Sequence, residues 1–314
     1  MNKLFLIRNA ELFQGEKYLN TNKNYFEGWY FKNTNNKNGI SFIPGININN
    51  HDKKAFIQVI TNDLSFFVDY KIDDFKFSYS PFYIKIGDNF FSKDKIHIDI
   101  KDKNLTVFGD IKYSNNKNIY TNFLSPNIMG PFSYVSFMEC NHAILSMKNN
   151  ANGHIFINNS KLNFENDIGY IEKDWGCSFP KKYIWCQGNN FQNSPASFML
   201  SIADIPFKIF NFTGFICSLI IGNNEFKFTT YNNAKLINYD INDNLLNITL
   251  SKGHYSLNIK SCYTSGLKLS APVKGKMKKN IFESICESIT LTLKKDDNII
   301  FSDTSTNCGL EIVH

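Results

Sequence analysis

Short segments in which apolar and polar residues alternate recur along the whole chain, and this alternation constrains the fold more than any other feature. A period of two puts one face of an extended strand in the core and leaves the other in solvent. Runs of Asn, Asp and Gly, which favour chain reversals, separate the segments. The pattern predicts an all-β protein made of antiparallel hairpins. The clearest predicted strands are KAFIQVIT (54–61), KIHIDIKD (95–102), NLTVFGDIKY (104–113), EFKFTTY (225–231) and SITLTLKK (288–295).

The length of 314 residues exceeds the usual size of one domain, and 43% hydrophobic and 15% aromatic residues are enough for two packed cores. Many strands with few helices indicate barrels or sandwiches, and barrels also remove the exposed edges that would otherwise aggregate. The loop-like composition between Met147 and Asp167 predicts a boundary in that stretch. We therefore expect two tandem antiparallel β-barrel domains, residues 1–160 and 161–314.

The charge balance gives no strong electrostatic signature, because a formal net charge of +6 over this length does not indicate nucleic-acid binding. One local basic run has two interpretations, and it consists of Lys274, Lys276, Lys278 and Lys279. A solvated turn between strands is the favoured interpretation. Peripheral contact with an anionic membrane surface is the alternative.

The cysteines and the apolar segments predict a cytoplasmic protein. Seven Cys is an odd number and no CxxC pair occurs, so reduced thiols are expected. The opening MNKLFLIRNAELF has too short an apolar run for a signal peptide. The most apolar stretch, residues 212–222, is about half as long as a membrane span and is interpreted as a buried strand.

The sequence lacks the motifs of several enzyme classes. Its 6 His residues show neither HxH nor HExxH spacing, so no metal site is expected. A GxSxG elbow, a P-loop and GxGxxG are also missing from the sequence. Hydrolase, nucleotide-binding and dinucleotide-binding functions therefore have no support from motifs.

All 3 Trp residues fall in two short segments, YFEGWYFK (25–32) and GYIEKDWGCSFPKKYIWCQGNNF (169–191). A third stretch, residues 263–313, contains LKLSAPVKGKM, FESICESITLTL and FSDTSTNCGLEIV. These segments, in this order, resemble the signature motifs of the tocopherol cyclase family. The resemblance covers the start, the middle and the end of the chain.

This resemblance implies a fold of two lipocalin-like barrels and a proton-driven reaction without a redox cofactor. An acid protonates the alkene nearest the ring of a prenylated hydroquinol, and the phenolic oxygen captures the resulting tertiary carbocation to form a chromanol. Such a site needs a carboxyl that stays protonated near neutral pH, aromatic faces beside the cation and a dry pocket for the tail. The expected partner is a hydrophobic prenylated small molecule.

The second Trp-containing segment supplies the first candidate for the acid. On an extended strand, Tyr170, Glu172 and Asp174 share one face. If that face looks into an apolar cavity, desolvation and like-charge repulsion raise the pKa of one carboxyl. Glu172 is the first candidate, and the alternative is a structural ion pair of Glu172 with Lys173 of an adjacent strand or with Arg8.

Two further carboxylates are candidates. Asp174 is less secure, because plant members of the resembled family carry Asn at the matching place. Asp174 is expected instead to orient a neighbour or to cap a turn at Gly176. Glu27 lies beside two aromatic rings in EGWY, and the alternative for it is a hydrogen bond to a strand terminus.

Aromatic and amide side chains near these carboxylates are expected to bind the substrate. Trp185, Gln187 and Asn189 share one strand face and offer a ring for the cation and amides for the hydroquinol oxygens. Core packing is the alternative for Trp185. The predicted substrate-binding residues are Trp29, Tyr30, Tyr170, Lys173, Trp175, Phe179, Trp185, Gln187 and Asn189.

Two other functions stay open at this point. The same barrels could carry a lipid or a quinone without any chemistry, since a fold does not settle function. Paired carboxylates with aromatic residues also suit carbohydrate processing, which would need an open polar groove instead of a closed apolar pocket.

Overall fold

A computed structural model describes residues 2–50, 52–102, 105–207 and 210–314, apart from the side chains of Phe207, Phe210 and Cys286. His51, Asn104 at the start of one predicted strand, and the predicted thiol of Cys286 therefore lie outside the described part.

The described chain is nearly all β, as the alternation predicts. The α-helices are α1 (Lys3–Arg8) and α2 (Glu16–Leu19), and short 3-10 helices span Ile72–Asp74, Gly130–Tyr134 and Thr230–Asn232. The strands up to the middle of the chain are β1 (Tyr25–Thr34), β2 (Gly39–Asn49), β3 (Asp52–Thr61), β4 (Ser65–Lys71), β5 (Phe75–Tyr79), β6 (Phe82–Ile86), β7 (Asn89–Phe91), β8 (Lys95–Asp102), β9 (Leu105–Lys117), β10 (Cys140–Ile157) and β11 (Ser160–Gly176). The later strands are β12 (Tyr183–Gly188), β13 (Ala196–Phe207), β14 (Phe210–Ile221), β15 (Asn224–Thr229), β16 (Lys235–Asn242), β17 (Leu245–Lys252), β18 (Tyr255–Cys262), β19 (Leu267–Val273), β20 (Lys276–Lys295) and β21 (Asn298–Val313).

The strands form two large curled sheets, which confirms the predicted all-β fold with two barrel-like units. The 11-stranded sheet has the order β4-β3-β2-β1-β11-β10-β9-β8-β7-β6-β5. The 10-stranded sheet has the order β15-β14-β13-β12-β21-β20-β18-β17-β16, with β19 paired to β20. In each sheet one crossover brings the first long strand beside the last one, so that β1 pairs with β11 and β12 with β21, both antiparallel.

The chain divides into two compact units, residues 1–179 with 269–280 and residues 180–268 with 281–314. The predicted boundary after residue 160 lies at the start of β11. Strand β11 stays in the first unit because it pairs with both β1 and β10. The second difference is the segment 269–280, which is distant in sequence and yet belongs to the first unit.

That segment contains the turn between β19 and β20 and the strand residues next to it, and the turn contains part of the basic run. Lys274 and Gly275 both have positive φ, 48° and 69°, as a tight two-residue hairpin turn requires. A side chain at Gly275 would come within 1.8 Å of the Ile48 carbonyl oxygen, so only glycine fits this contact. The Gln58 side chain bonds both the N–H (2.8 Å) and the carbonyl (3.0 Å) of Ser270, which joins the hairpin to β3.

Strict alternation along the strands builds each core. In β8 the side chains of Ile96, Ile98 and Ile100 are fully buried, whereas Lys95 and His97 on the other face are exposed. The predicted buried strand at 212–222 is β14, whose Cys217 and Leu219 are fully buried in the second core. Among the described residues, no helix combines the length and the apolar character that crossing a membrane requires.

Candidate active site on strands β10 and β11

Strand β11 has charged groups on both of its faces. Its inner face points into the core of the first unit, which contains Ile171. The outer face holds Tyr170, Glu172 and Asp174, and the inner face holds Ile171, Lys173 and Trp175. Each face therefore has to be considered as a separate candidate site.

On the outer face, β10 adds an imidazole to the two carboxylates. His142 pairs directly with Asp174 in the antiparallel register, so both side chains lie on the same face. His142 Nδ1 lies 2.9 Å from Asp174 Oδ1, and His142 Nε2 lies 3.4 Å from Glu172 Oε2. The side chains are 12% (His142), 5% (Glu172) and 24% (Asp174) exposed, so the cluster is mostly withdrawn from water.

The charges of the cluster keep His142 protonated. Burial by itself lowers the pKa of His142, but the carboxylates of Asp174 and Glu172 and the hydrogen bond to Asp174 outweigh burial and raise it to about 9. At neutral pH the ring is therefore an imidazolium held between two carboxylates. Its Nε2 makes no hydrogen bond within the described residues, because the approach to Glu172 lacks suitable geometry.

Two tyrosines complete this face. The Tyr170 hydroxyl donates to Glu172 Oε2 at 2.5 Å, and burial followed by the charge of Glu172 raises the pKa of Tyr170 well above its usual value. The phenol therefore stays neutral and acts as a donor. Tyr30 of β1 lies directly opposite Glu172, and its hydroxyl accepts a hydrogen bond from Ser41 at 3.0 Å.

His142, Glu172 and Asp174 also have the composition of a metal site. One ligand atom from each lies within 4.8 Å of the others. His142 Nδ1 bonds Asp174, so the three side chains combine the composition of a metal site with the contacts of a proton relay. Cys140, whose Sγ is 3.8 Å from Asp174 Oδ1, remains a thiol because burial and then Asp174 raise its pKa.

The inner face carries a different pair of charges, Lys173 and Glu27, both fully buried. Lys173 Nζ lies 2.5 Å from Glu27 Oε1 and donates to the carbonyl oxygens of Ala10 (2.8 Å) and Leu12 (2.6 Å). These contacts use all three N–H donors of the ammonium group. Lys173, predicted to bind substrate, is thus placed inside the first core with its hydrogen bonds complete.

Glu27, the second candidate for the acid, is satisfied in the same way. Its carboxylate accepts hydrogen bonds from the Tyr25 hydroxyl at 2.6 Å and from the Gln14 N–H at 2.9 Å. Burial raises the pKa of Glu27 and lowers that of Lys173, while their mutual attraction opposes both changes. Burial is the larger effect on both pKa values, and the 2.5 Å contact together with the other hydrogen bonds of the two groups gives the pair a structural role.

The two indoles of the first unit belong to this inner face. Lys173 Nζ lies 4.6 Å from the ring of Trp29 and 4.9 Å from that of Trp175. The Trp29 Nε1–H donates to the Glu11 carbonyl oxygen at 2.9 Å. Both indole rings, which the sequence predicts to bind substrate, therefore lie against a lysine cation.

A cleft of about 440 Å³ opens beside this inner face. Its lining includes Tyr18, Tyr25 and Trp175, with Gly176 and Cys177 at the end of β11. The residues that line it do not include Glu172 or His142. The cleft and the acidic cluster are therefore on separate faces of the same strand.

The remaining predicted residues lie elsewhere. Phe179 packs edge-on against Phe26, with ring centroids 5.3 Å apart, in the first unit. Trp185, Gln187 and Asn189 belong to the second unit and are 6%, 0% and 2% exposed. In β12, Ile184 and Cys186 enter the second core, so the Trp185 and Gln187 side chains take the opposite face of the strand.

His142 is the residue that sequence reasoning missed. An uninterrupted register from the Ile157–Ser160 end of the hairpin would place His142 opposite Trp175, on the inner face. Irregularities between residues 144 and 153 of β10 change the pairing, so that His142 lies opposite Asp174 instead. Motif spacing cannot detect this shift, although a polar residue in the partner strand of GYIEKDWG is a signal worth seeking.

Comparisons with known proteins agree with this architecture. CghA, solved with Sch210972, is 6% identical with a TM-score of 0.58, and the match covers 92% of this chain and 89% of that one. A putative AttH from Nitrosomonas europaea is 9% identical with a TM-score of 0.51, covering 92% and 91%. At such identities the likeness shows the fold alone. No curated protein sequence matches significantly.

The family itself is shown by a sequence model. The model described as tocopherol cyclase-like matches residues 121–313, more than half of the chain. This range contains β10, β11 and β12 and therefore His142, Glu172 and Asp174. The resemblance found in the sequence is confirmed, and the chain belongs to the tocopherol cyclase-like family.

Proposed function

We propose that the chain is a cyclase that closes a ring in a prenylated hydroquinol or a related isoprenoid phenol by protonating an alkene. The observation that carries this proposal is the imidazolium of His142, held between Glu172 and Asp174 with Tyr170 bonded to Glu172. Membership of the tocopherol cyclase-like family supports the reaction class. A cyclase or isomerase needs a stored proton, and this cluster stores one at neutral pH.

Glu172 delivers the proton and His142 stores it. An alkene is a very weak base, and a carboxylic acid is a stronger acid than an imidazolium whose pKa is about 9. Transfer from His142 Nε2 to Glu172 Oε2, 3.4 Å away, is therefore uphill, and it produces the stronger acid that protonates the alkene carbon. Tyr170 remains bonded to Glu172 and fixes the orientation of the carboxyl.

Ring closure then restores the starting state. Protonation leaves a tertiary carbocation, and a lone pair of the phenolic oxygen forms the new C–O bond. The phenolic proton returns through Glu172 to His142, whose ring Asp174 holds by Nδ1. Substrate and product are isomers, so no electron or group is transferred. The rings of Tyr30 in β1 and Tyr170 in β11 lie on the same face of the sheet and stabilise the cation.

Isotope labelling tests this proposal. Purified protein is incubated in D₂O with prenylated hydroquinols in detergent, and products are separated by chromatography and identified by absorbance and mass. We expect a chromanol that contains one carbon-bound deuterium, because the acid exchanges with solvent before it protonates the alkene. Tight binding of the hydroquinols without conversion at any tail length would contradict the proposal and identify a carrier.

A further inference from the structure

The first unit encloses uncharged polar side chains that the proposed chemistry does not use. Asn33 of β1, Tyr113 of β9 and Asn149 of β10 are 0%, 6% and 0% exposed. Asn33 and Asn149 both pair with Gly169 of β11, one from each side. Three neighbouring polar groups are thus enclosed in the core of a β-sheet.

Gly169 makes this arrangement possible. A Cβ atom at Gly169 would lie 2.0 Å from Asn149 Oδ1. Any larger residue would therefore displace the side-chain amide of Asn149. This amide lies over β11, and β11 pairs with β1, the strand that carries Asn33. The glycine creates space for a polar group at a depth where the neighbouring positions are apolar.

Several polar atoms of the cluster have no partner at ordinary hydrogen-bond distance and angle, although the side chains of Asn33 and Tyr113 interact with each other. They are Asn33 Nδ2, Asn33 Oδ1, Asn149 Oδ1 and the Tyr113 hydroxyl oxygen. Asn149 Nδ2 is occupied, because it donates to Ser146 Oγ at 3.2 Å. Buried polar atoms almost always have partners, since leaving them unpaired is costly. A group that does not belong to the protein would satisfy these atoms together.

The surroundings restrict what this group can be. Phe31 stacks on Tyr113 with ring centroids 6.4 Å apart and lies 5.4 Å from Phe91, so aromatic rings pack closely against the cluster. Burial raises the pKa of Tyr113, although the nearby Asn33 side chain opposes the change, so the phenol stays neutral. A small uncharged group that both donates and accepts hydrogen bonds fits these limits.

We propose that Asn33, Tyr113 and Asn149 form an internal hydration site that holds at least one water molecule. Water accepts from Asn33 Nδ2 or from the Tyr113 hydroxyl, and it donates to the side-chain oxygen of Asn33 or Asn149. Buried waters make about three hydrogen bonds each, which this cluster provides. The inference is independent of the proposed cyclisation.

A high-resolution crystal structure and two variants test the site. We expect electron density for water within hydrogen-bonding distance of at least two of the three side chains. Tyr113→Phe removes one hydroxyl with little change in shape, and loss of its hydrogen bond to water lowers Tm by about 2–4 °C. Asn33→Leu lowers Tm by more, because it removes two polar partners of the water.

Tyr239→Phe, at a tyrosine that is 52% exposed, is the matched control and leaves Tm unchanged. Absence of density together with a higher Tm for both Tyr113→Phe and Asn33→Leu would overturn the proposal, because removing unsatisfied groups would then be favourable. Density for a larger organic molecule would also overturn it.

Discussion

The two faces of strand β11 each bury carboxylates beside a cation, but only one of them completes its hydrogen bonds. On the inner face Lys173 uses every donor, and Glu27 receives a lysine, a phenol and a backbone N–H. On the outer face His142 Nε2 has an ion-pair partner without hydrogen-bond geometry. Burial of charge therefore does not mark a reactive site unless a proton can still move.

The difference also concerns how tightly each cation is held. The side chain of Lys173 is fully buried, whereas that of His142 is 12% exposed and that of its partner Asp174 is 24% exposed. A closed ion pair stabilises the fold and cannot exchange protons easily. A partly open cluster can exchange its proton with solvent, which a catalytic cycle needs.

The largest expected effect separates the faces by activity. Glu172→Gln keeps the shape of the side chain but removes the proton donor, so ring closure should fall by about 10²- to 10⁴-fold. Product formation measured by chromatography tests this, with ligand affinity measured in parallel. Glu165→Gln, at an exposed position of the same strand, is the control and should retain activity. Equal activity of Glu172→Gln and the control would remove Glu172 from the mechanism.

The next effect separates the faces by stability. Lys173→Met leaves the fully buried Glu27 carboxylate without a cation, and we expect a loss of about 3–5 kcal/mol in the free energy of unfolding. Urea unfolding measures it, with Lys112→Met at an exposed site as the control. Adding Glu27→Gln to Lys173→Met should recover much of the loss. A single variant as stable as the control would show that the inner pair is dispensable.

The pH dependence of stability sharpens the comparison on the outer face. The pKa of His142 is about 9 in the folded protein and about 6.5 in an unfolded chain, so its protonation favours folding. This contribution, at most about 3 kcal/mol, is complete below pH 6.5 and disappears as the pH rises through 9. The stability difference between wild type and His142→Gln should therefore shrink between those pH values. A stability difference that stays constant over this pH range would show that His142 is not protonated in the folded protein.

The smallest expected effect concerns the role of Asp174. Asp174→Asn keeps a hydrogen-bond acceptor for His142 Nδ1 but removes a charge, so the pKa of His142 should fall. Because His142 with a moderately lower pKa still carries its proton at neutral pH, we expect only a small loss of rate at pH 7, well short of the loss in Glu172→Gln, and a shift of the alkaline limb of the pH profile to lower pH. NMR titration of the His142 ring together with the pH profile of kcat tests this. An unchanged titration would show that the charge of Asp174 does not raise the pKa of His142.

The sequence predicted the strands well because alternation is a local property. Strand β8 begins and ends at Lys95 and Asp102, as predicted, and the segment 54–61 lies within β3. The predicted strand at 225–231 was too long, since residues from Thr230 to Asn232 form a 3-10 helix. The capping interaction of Thr229 with Asn232 ends that strand. The sequence signal for such a reciprocal contact is weak.

The site was less predictable because it depends on pairings between strands. Alternation alone placed Glu172 and Asp174 together, but the partner of Glu27 is Lys173, on a strand more than 140 residues away. His142 lies on the outer face only because of irregularities in β10, and no local sequence pattern predicts them. The substrate-binding residues proposed in β12 remain a prediction.

The hairpin of β19 and β20 has a consequence for the order of events on the ribosome. Gln58 is made early, yet its partner Ser270 is made more than 200 residues later. Domains often fold as they emerge during synthesis. Here, most of the polypeptide must be translated before the first unit can acquire its last strands. A nascent chain of about 180 residues still lacks the segment 269–280, so its first unit is incomplete.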